Sequence, residues 1–260
     1  MADSVLYGTT GAVAVISLNR PKSMNALTAE TKESLLAALR RAAADPVRAV
    51  IITGNGRGFC AGQDLVEHAE RLESGGTALD TVRAHYNPLV LEIMTMPKPV
   101  IAAVNGVAAG AGAALAFACD FRVAARAASF VMSFSLVGLG ADSGVSWTLQ
   151  RLVGVARATE LLMLAEPMPA DRAYELGLVT SVAGDGEFSE TALHLARRLA
   201  DGPTAAYAAI KEALLYSATH GLPESLEEEA ELQNRLGKTA DHRAATQAFV
   251  RKAKPHYEGH

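Results

Sequence analysis

The chain is short of the residues that build most recognisable metal and disulfide sites. Cys60 and Cys119 are the only two cysteines in 260 residues, and neither a CxxC nor a histidine cluster accompanies them. That excludes a disulfide framework and a structural zinc site, no metal is expected, and a reducing compartment fits. Aromatic residues make up 5% of the chain, with Trp147 the single tryptophan. Positive charge is also in deficit: 24 Lys and Arg against 28 Asp and Glu leave a net charge of −4. No nucleic-acid partner is expected, although a local basic patch for a nucleotide phosphate is compatible with this balance. Long apolar runs are missing too. The best candidate, Val100 to Ala118, is broken by Asn105 and several glycines, so it reads as strand, turn and buried helix, not as a membrane span. Met1 to Ser4 has neither the charged nor the apolar region of a secretory signal, and no N-x-S/T sequon occurs. The expectation is a cytoplasmic enzyme or binding protein.

Half the residues are hydrophobic and a fifth are charged, the profile of a folded soluble chain. The first half alternates β-rich runs with helical stretches. Ala12 to Leu18 predicts a strand stopped by Asn19-Arg20-Pro21, and Thr28 offers an N-cap to a helix with Leu35, Leu36 and Leu39 on one face. Ala49 to Thr53 and Val100 to Val104 read as strands buried on both faces, and a helix is expected around Leu79 to Met96. Phe121 to Ala124 and Ser129 to Met132 read as short strands. After Gly144 nearly everything reads as helix except Leu178 to Val182, with Pro203 and Pro223 near helix starts and Thr239 or Asp241 capping the last helix. The acidic stretch Glu224 to Glu231 reads as a solvated helix face. The order is a layered or spiral β/α half followed by a helical tail.

The familiar phosphate and hydrolase signatures fail on spacing. Gly54, Gly56 and Gly58 give GxGxG, Gly110-x-Gly112 is followed three residues later by Leu115, and Gly237-Lys238-Thr239 has Leu232 where a P-loop needs glycine. HExxH and GxSxG are absent as well. Two segments stand out instead: Gly58-Phe59-Cys60-Ala61-Gly62-Gln63-Asp64-Leu65 and Asn105-Gly106-Val107-Ala108-Ala109-Gly110-Ala111-Gly112. Each leads from a strand into a helix through small residues, which leaves a backbone N–H exposed at the turn. Two such N–H groups aimed at one point bind an oxyanion, and the helix dipole adds to the field. Taken singly, either segment is equally a tight turn with close helix packing.

Arg20-Pro21-Lys22-Ser23-Met24-Asn25-Ala26-Leu27, Ala61-Gly62-Gln63-Asp64-Leu65 and Ala103-Val104-Asn105-Gly106 resemble the enoyl-CoA hydratase/isomerase (crotonase) superfamily over nearly the whole chain. The resemblance implies an α/β fold of the ClpP/crotonase type: a spiral of ββα units over residues 1–197 and a helical trimerisation region over 198–260. It also implies an acyl-CoA thioester substrate, no separate cofactor, and a homotrimer or a hexamer of two trimers. By position in the motifs, the oxyanion-hole amides are those of Gln63 and Ala111. Arg20 and Lys22 would meet the CoA phosphates, Ala61, Asp64 and Leu65 would flank the nucleotide, and Phe249 and Lys252 would be lent by a neighbouring subunit. Read as isolated residues, Arg20, Lys22 and Lys252 are equally solvated surface and Phe249 equally core.

The departures from the family pattern are informative. Hydratases of this family carry two glutamates that activate water; this chain has Ala114 and Phe134 at those places. Neither side chain moves a proton, so ordinary 2-enoyl-CoA hydration lacks its acid/base pair. Asp142, in Gly140-Ala141-Asp142-Ser143-Gly144, is either an N-cap or a catalytic carboxylate. Beside Phe134, Val137 and Leu139, partial desolvation would raise its pKa to a useful range. One carboxylate suffices for isomerisation, which moves a proton between carbons and needs no water. Arg57 to Leu65, Tyr86 to Val90, Phe130 to Ser135, Asp142-Ser143-Gly144 and Gln247-Ala248-Phe249 resemble the subfamily of ring-epoxide isomerases of phenylacetate degradation. There an Asp at the place of Asp142 converts the epoxide to an oxepin-CoA, and a shift of a 3-enoyl to a 2-enoyl double bond is implied as well. The subfamily often has proline where this chain has Ala141. Tyr86 and Trp147 are candidates for the acyl pocket or for plain core, and Cys60 reads as packing. The alternatives are an aryl-CoA dehalogenase, which would want a histidine that Leu89 to Met96 lacks, and a catalytically silent CoA-binding scaffold. A ClpP-like peptidase is not supported, because no Ser or His stands in a nucleophile context.

Overall fold

The computed structural model describes residues 3–75, 78–184 and 186–260; Met1 and Ala2 lie outside them. A hairpin opens the chain: β1 (Val5–Thr10), which the sequence reading did not anticipate, pairs antiparallel with β2 (Val13–Leu18). Helix α1 (Ala29–Ala44) starts at Thr28, whose hydroxyl accepts the Thr31 N–H at 3.2 Å as the expected N-cap. Then come β3 (Ala49–Gly54), β4 (Gly58–Cys60) and α2 (Leu65–Glu73). A π-helical turn, Val82–Tyr86, leads into α3 (Asn87–Thr95), followed by β5 (Val100–Val104), β6 (Val107–Ala109) and α4 (Ala111–Ala118). The third repeat is β7 (Phe121–Ala125), β8 (Ser129–Val131) and α5 (Val145–Leu164). The rest is β9 (Met168–Pro169), α6 (Ala170–Glu175), β10 (Ser181–Ala183), α7 (Phe188–Ala200), α8 (Thr204–Ser217), α9 (Leu222–Leu236) and α10 (Ala240–Val250).

The strands form two sheets, ordered β1-β2-β3-β5-β7-β10 and β4-β6-β8-β9. Each of the three central repeats gives one strand to each sheet and then a helix. The chain therefore winds as a spiral, and the equivalent turns β4–α2 and β6–α4 come to lie side by side. This is the crotonase fold that the sequence pattern implied. Period-two alternation explains the core. Val50, Ile52, Val100, Ala102 and Val104 face the main core, whereas Ala49, Ile51, Ile101, Ala103 and Val123 face Ala192, Ala196 and Leu199 of α7.

The structure refines several local expectations. The helix expected over Leu79 to Met96 is present but changes hydrogen-bond register, because Pro88 has no N–H to offer the Ala84 carbonyl. The ladder slips there, and the Asn87 N–H donates to the Val82 carbonyl in an i→i−5 bond. Helix α5 is kinked at Gly154, which has φ 76°. The last strand covers only Ser181–Ala183. The boundary expected after residue 197 falls inside α7, which packs on the large sheet and runs on until Asp201-Gly202-Pro203 breaks it. Thr239, not Asp241, caps α10; the Asp241 carboxylate instead accepts the N–H groups of Glu258 and Gly259 and ties the C-terminal tail back. The acidic stretch lies on α9 and is mostly exposed. Among the described residues, no helix is long and apolar enough to cross a membrane.

Candidate active site

The two asparagines of the sequence motifs prove to be pins for the site's loops. Asn25 is fully buried; its amide donates to the Gly58 carbonyl at 2.8 Å and its oxygen accepts the Arg20 N–H. Asn105 accepts the Gly54 N–H at 3.2 Å and donates to the Gly56 carbonyl. Together they hold the entries to β4 and β6 against one another. Close backbone approach then requires glycine. A Cβ on Gly112 would overlap the Cys60 carbonyl oxygen, and one on Gly62, at φ +86°, would lie 2.7 Å from the Ala109 oxygen and 3.3 Å from the Ala111 nitrogen. The last distance brings the two turns to one point. The Leu27 N–H donates to Gly62 and the Asp64 N–H to Leu27, which turns the intervening Gln63 N–H away from that pairing. Among the described residues, neither the Gln63 nor the Ala111 N–H has a protein acceptor. Ala111 is also the first residue of α4, so the positive end of that helix dipole faces the same space.

That space is a cavity of about 370 Å³, lined by Gln63, Ala111, Tyr86, Phe134, Val137 and Asp142 among others. Its wall is mostly apolar, and Asp142 is the one carboxylate among the described lining residues. Asp142 does not cap α5. Ser143 and Gly144 both have positive φ, 52° and 70°, and this double left-handed turn stands between the carboxylate and the helix start. A left-handed conformation at a serine costs about 1 kcal/mol or more, the kind of strain that functional turns retain. Burial pushes the Asp142 carboxyl above its ordinary value, opposed by a 2.8 Å hydrogen bond from the Ser143 hydroxyl and by the charge of Lys32. Because Ser143 favours the ionised form, Ser143→Ala is expected to raise that pKa further. In a pH profile of kcat/KM, the acid limb should then move to higher pH.

Other expected residues fall in different places. Ala61 and Leu65 line the cavity. Asp64 caps α2, accepting the Val66 and Glu67 N–H groups, and its other oxygen takes the Arg20 guanidinium at 2.8 Å. Arg20 also donates to the Ala26 carbonyl, so this side chain is engaged in bracing the loop. Burial would raise the Asp64 carboxyl, but Arg20 and the two amides outweigh it and hold it below the usual range. Asp64→Ala is expected to cost about 1–2 kcal/mol as a lost cap. A depressed carboxyl stabilises above its unfolded pKa of ~3.9 and stops doing so as pH falls through the folded value. Urea melts of the variant and the parent should therefore converge in acid. Lys22 is exposed in a 3-10 turn, Pro21–Ser23. Phe249 is 85% exposed on α10 and lies, like Lys252 after it, outside the cavity of its own chain.

Trp147 is the clearest correction. It lines a second cavity with Phe117, Arg151 and Leu214, and the Arg151 guanidinium sits 3.9 Å over its ring. Trp147 is absent from the lining of the cavity that holds Asp142. Tyr86 does reach the pocket; its buried hydroxyl donates to Gln63 Oε1 at 2.7 Å. Phe134 lines the cavity and Ala114 is wholly buried in α4, so neither glutamate position offers a proton-transfer group. Cys60 is buried, with its thiol pushed up to about 12 by burial, and packs as expected. Sequence reading missed His68, Leu72, Leu79, Thr81 and Val82 in the wall and Lys32 behind it. Leu65, His68 and Leu72 share one face of α2 at helical spacing, and Lys32 shares the inward face of α1 with Leu35 and Leu39. Those periodicities were the available signals.

The family model for enoyl-CoA hydratase/isomerase matches residues 8–260. A curated "Probable enoyl-CoA hydratase" of Rhodobacter capsulatus is 44% identical over 98% of both chains. The 1,2-epoxyphenylacetyl-CoA isomerase of Escherichia coli is 41% identical over 100% of both. The crystal structure of a Mycobacterium abscessus protein of the enoyl-CoA hydratase/isomerase type superimposes with a TM-score of 0.94 at 44% identity, covering 98% of this chain and 100% of that one. The chain therefore belongs to the enoyl-CoA hydratase/isomerase (crotonase) family and is an enzyme acting on CoA thioesters.

Proposed function

We propose that the protein is an acyl-CoA isomerase in which Asp142 is the single acid/base. It would convert 1,2-epoxyphenylacetyl-CoA to oxepin-CoA, 3-enoyl-CoA to 2-enoyl-CoA, or both. The observation that carries the reading is the lone Asp142 carboxylate in a cavity faced by two unpaired amides. In the double-bond shift, Asp142 removes a proton from the α-carbon of a 3-enoyl thioester. The electron pair moves onto the thioester oxygen, where the Gln63 and Ala111 N–H groups stabilise it. Protonated Asp142 then returns the proton to the γ-carbon, the double bond settles between the α- and β-carbons, and the carboxylate is regenerated. No water and no second carboxylate are consumed, which fits Ala114 and Phe134. The epoxide rearrangement likewise adds and removes no atoms. In this pose Ala61, Leu65, Lys22, Arg20 and Asp64 lie along the CoA, and Phe249 and Lys252 complete the nucleotide pocket of a neighbouring subunit in a homotrimer or a hexamer.

The test is a spectrophotometric assay on a 3-enoyl-CoA, following growth of the conjugated thioester, with crotonyl-CoA hydration in parallel. Isomerisation with negligible hydration supports the reading and justifies offering the epoxide. Efficient hydration favours the alternative activity named for the Rhodobacter relative, and halide release from 4-chlorobenzoyl-CoA would favour attack by Asp142 on an aryl ring. Tight CoA binding with no turnover of any thioester would favour a silent scaffold.

A further inference from the structure

Lys32 is 1% exposed, a burial that a lysine tolerates only with partners. It projects from the inward face of α1, and its ammonium donates to Gln63 Oε1 at 3.0 Å and to the Thr81 hydroxyl. It also lies 4.8 Å from the centre of the Tyr86 ring. Tyr86 donates to the same Gln63 oxygen, and Gln63 Nε2 contacts the Asp64 carbonyl at 3.3 Å. The Gln63 side chain is thus clamped from two sides while its own backbone N–H faces the cavity. Behind Lys32 the contacts continue outward: Thr81 Oγ1 lies 3.0 Å from His85 Nδ1, and His85 Nε2 lies 3.5 Å from exposed Glu33.

We propose that Lys32 is a positioning residue for the reaction: through its hydrogen bond to Gln63 Oε1 it holds Gln63, and with it the first oxyanion-hole amide, in place. The proposal rests on Asp142 being the acid/base. Lys32 does not line the cavity and acts through Gln63 and Asp142. Asp64, Glu67 and Arg71 face it from the α2 side, Asp142 from the loop before α5, and Tyr86 and His85 from the π-helical turn and its end. Within this set Lys32 is the cation that favours the ionised form of Asp142, against burial. Its own pKa is lowered to about 8, chiefly by burial and against the pull of Glu67, Asp142 and Asp64, so the charge is present at neutral pH.

The experiment compares the full-length parent with Lys32→Met, Lys32→Arg and Asp142→Asn in the 3-enoyl-CoA isomerase assay across pH. Lys32→Met is expected to lower kcat about 10- to 100-fold with KM changed less than about threefold, a part of the ~10²–10³-fold that a whole oxyanion donor is worth. The acid limb of kcat/KM should also move to higher pH, since a nearby positive charge favours the ionised carboxylate. Lys32→Arg keeps the charge and should leave the limb near its original place. A folded Lys32→Met enzyme with an unmoved limb and kcat within threefold of the parent would overturn the proposal. If Lys32→Met does not fold, Thr81→Val serves instead: it removes one acceptor of the ammonium, and a lower kcat with nearly unchanged KM supports the proposal whereas parental kcat overturns it. Parental turnover in Asp142→Asn would instead defeat the acid/base reading itself, a result separable from any outcome at Lys32.

Discussion

Asp142→Asn is expected to reduce isomerase turnover by about 10²–10⁴-fold, the range that a positioned acid/base contributes, and at the same time to raise the melting temperature at neutral pH. The activity loss follows from the inventory of the cavity. Asp142 is its only carboxylate among the described lining residues, and the glutamate positions are held by Ala114 and Phe134, so no second carboxylate inherits the proton. Asparagine preserves shape and accepts hydrogen bonds but binds no proton at these pH values. KM should change little, because the amides and the apolar wall remain. The stability gain has the opposite origin. Burial raises the Asp142 carboxyl above its unfolded value of ~3.9, net of the help from Ser143 and Lys32. Between those two values the native state binds more protons than the unfolded chain, so stability falls as pH rises through the window. Above it, the folded protein carries the full cost of a poorly solvated carboxylate, which the amide does not. Melting curves of the two proteins should therefore separate most near pH 7 and draw together as the pH is lowered toward ~4. A variant that is both less active and less stable at pH 7 would contradict this account of the carboxylate.

Ala111→Pro is the second large effect, with an expected loss of about 10²–10³-fold in kcat/KM. Ala111 is the first residue of α4, a position where proline is well tolerated because no intrahelical bond uses its N–H. Its φ also suits a helix start, and the preceding residue, Gly110, is the least restricted residue to place before proline. The substitution therefore deletes one of the two unpaired amides while leaving the helix. The proline ring carbon would also occupy the place of the lost hydrogen, facing the thioester oxygen, so KM should rise as well. Circular dichroism and thermal melts close to those of the parent, combined with the activity loss, would assign the effect to the amide. Turnover within threefold of the parent would show that Ala111 is not an oxyanion donor.

Some of this protein was legible along the chain because the signals are local. The Thr28 cap, the alternating strands and the small-residue turns at Gly62 and Gly110 are each decided by backbone chemistry within a few residues. From them came the β/α winding; the family resemblance pointed to the Gln63 and Ala111 amides and to Ala114 and Phe134 as the places of the missing hydratase pair. The register slip in the helix before Asn87 was carried by Pro88, which the reading of that helix did not weigh. The proline's missing N–H was the deciding constraint.

The remainder depends on contacts between residues far apart in sequence. Trp147 and Asp142 are five residues apart, yet they line different cavities. Arg20, suited by type to a phosphate, is drawn to Asp64, 44 positions away. Lys32 looks like a surface lysine until Gln63, Thr81 and Tyr86 close around it from two other segments. The sequence by itself determined the alternation of strands and helices and the small-residue turns, because caps, periodicity and glycine turns are set by near neighbours, and its motifs carried the family resemblance. Only the tertiary structure decided which side chains share the cavity and which charges face one another, because desolvation and Coulomb attraction act through space and ignore distance along the chain.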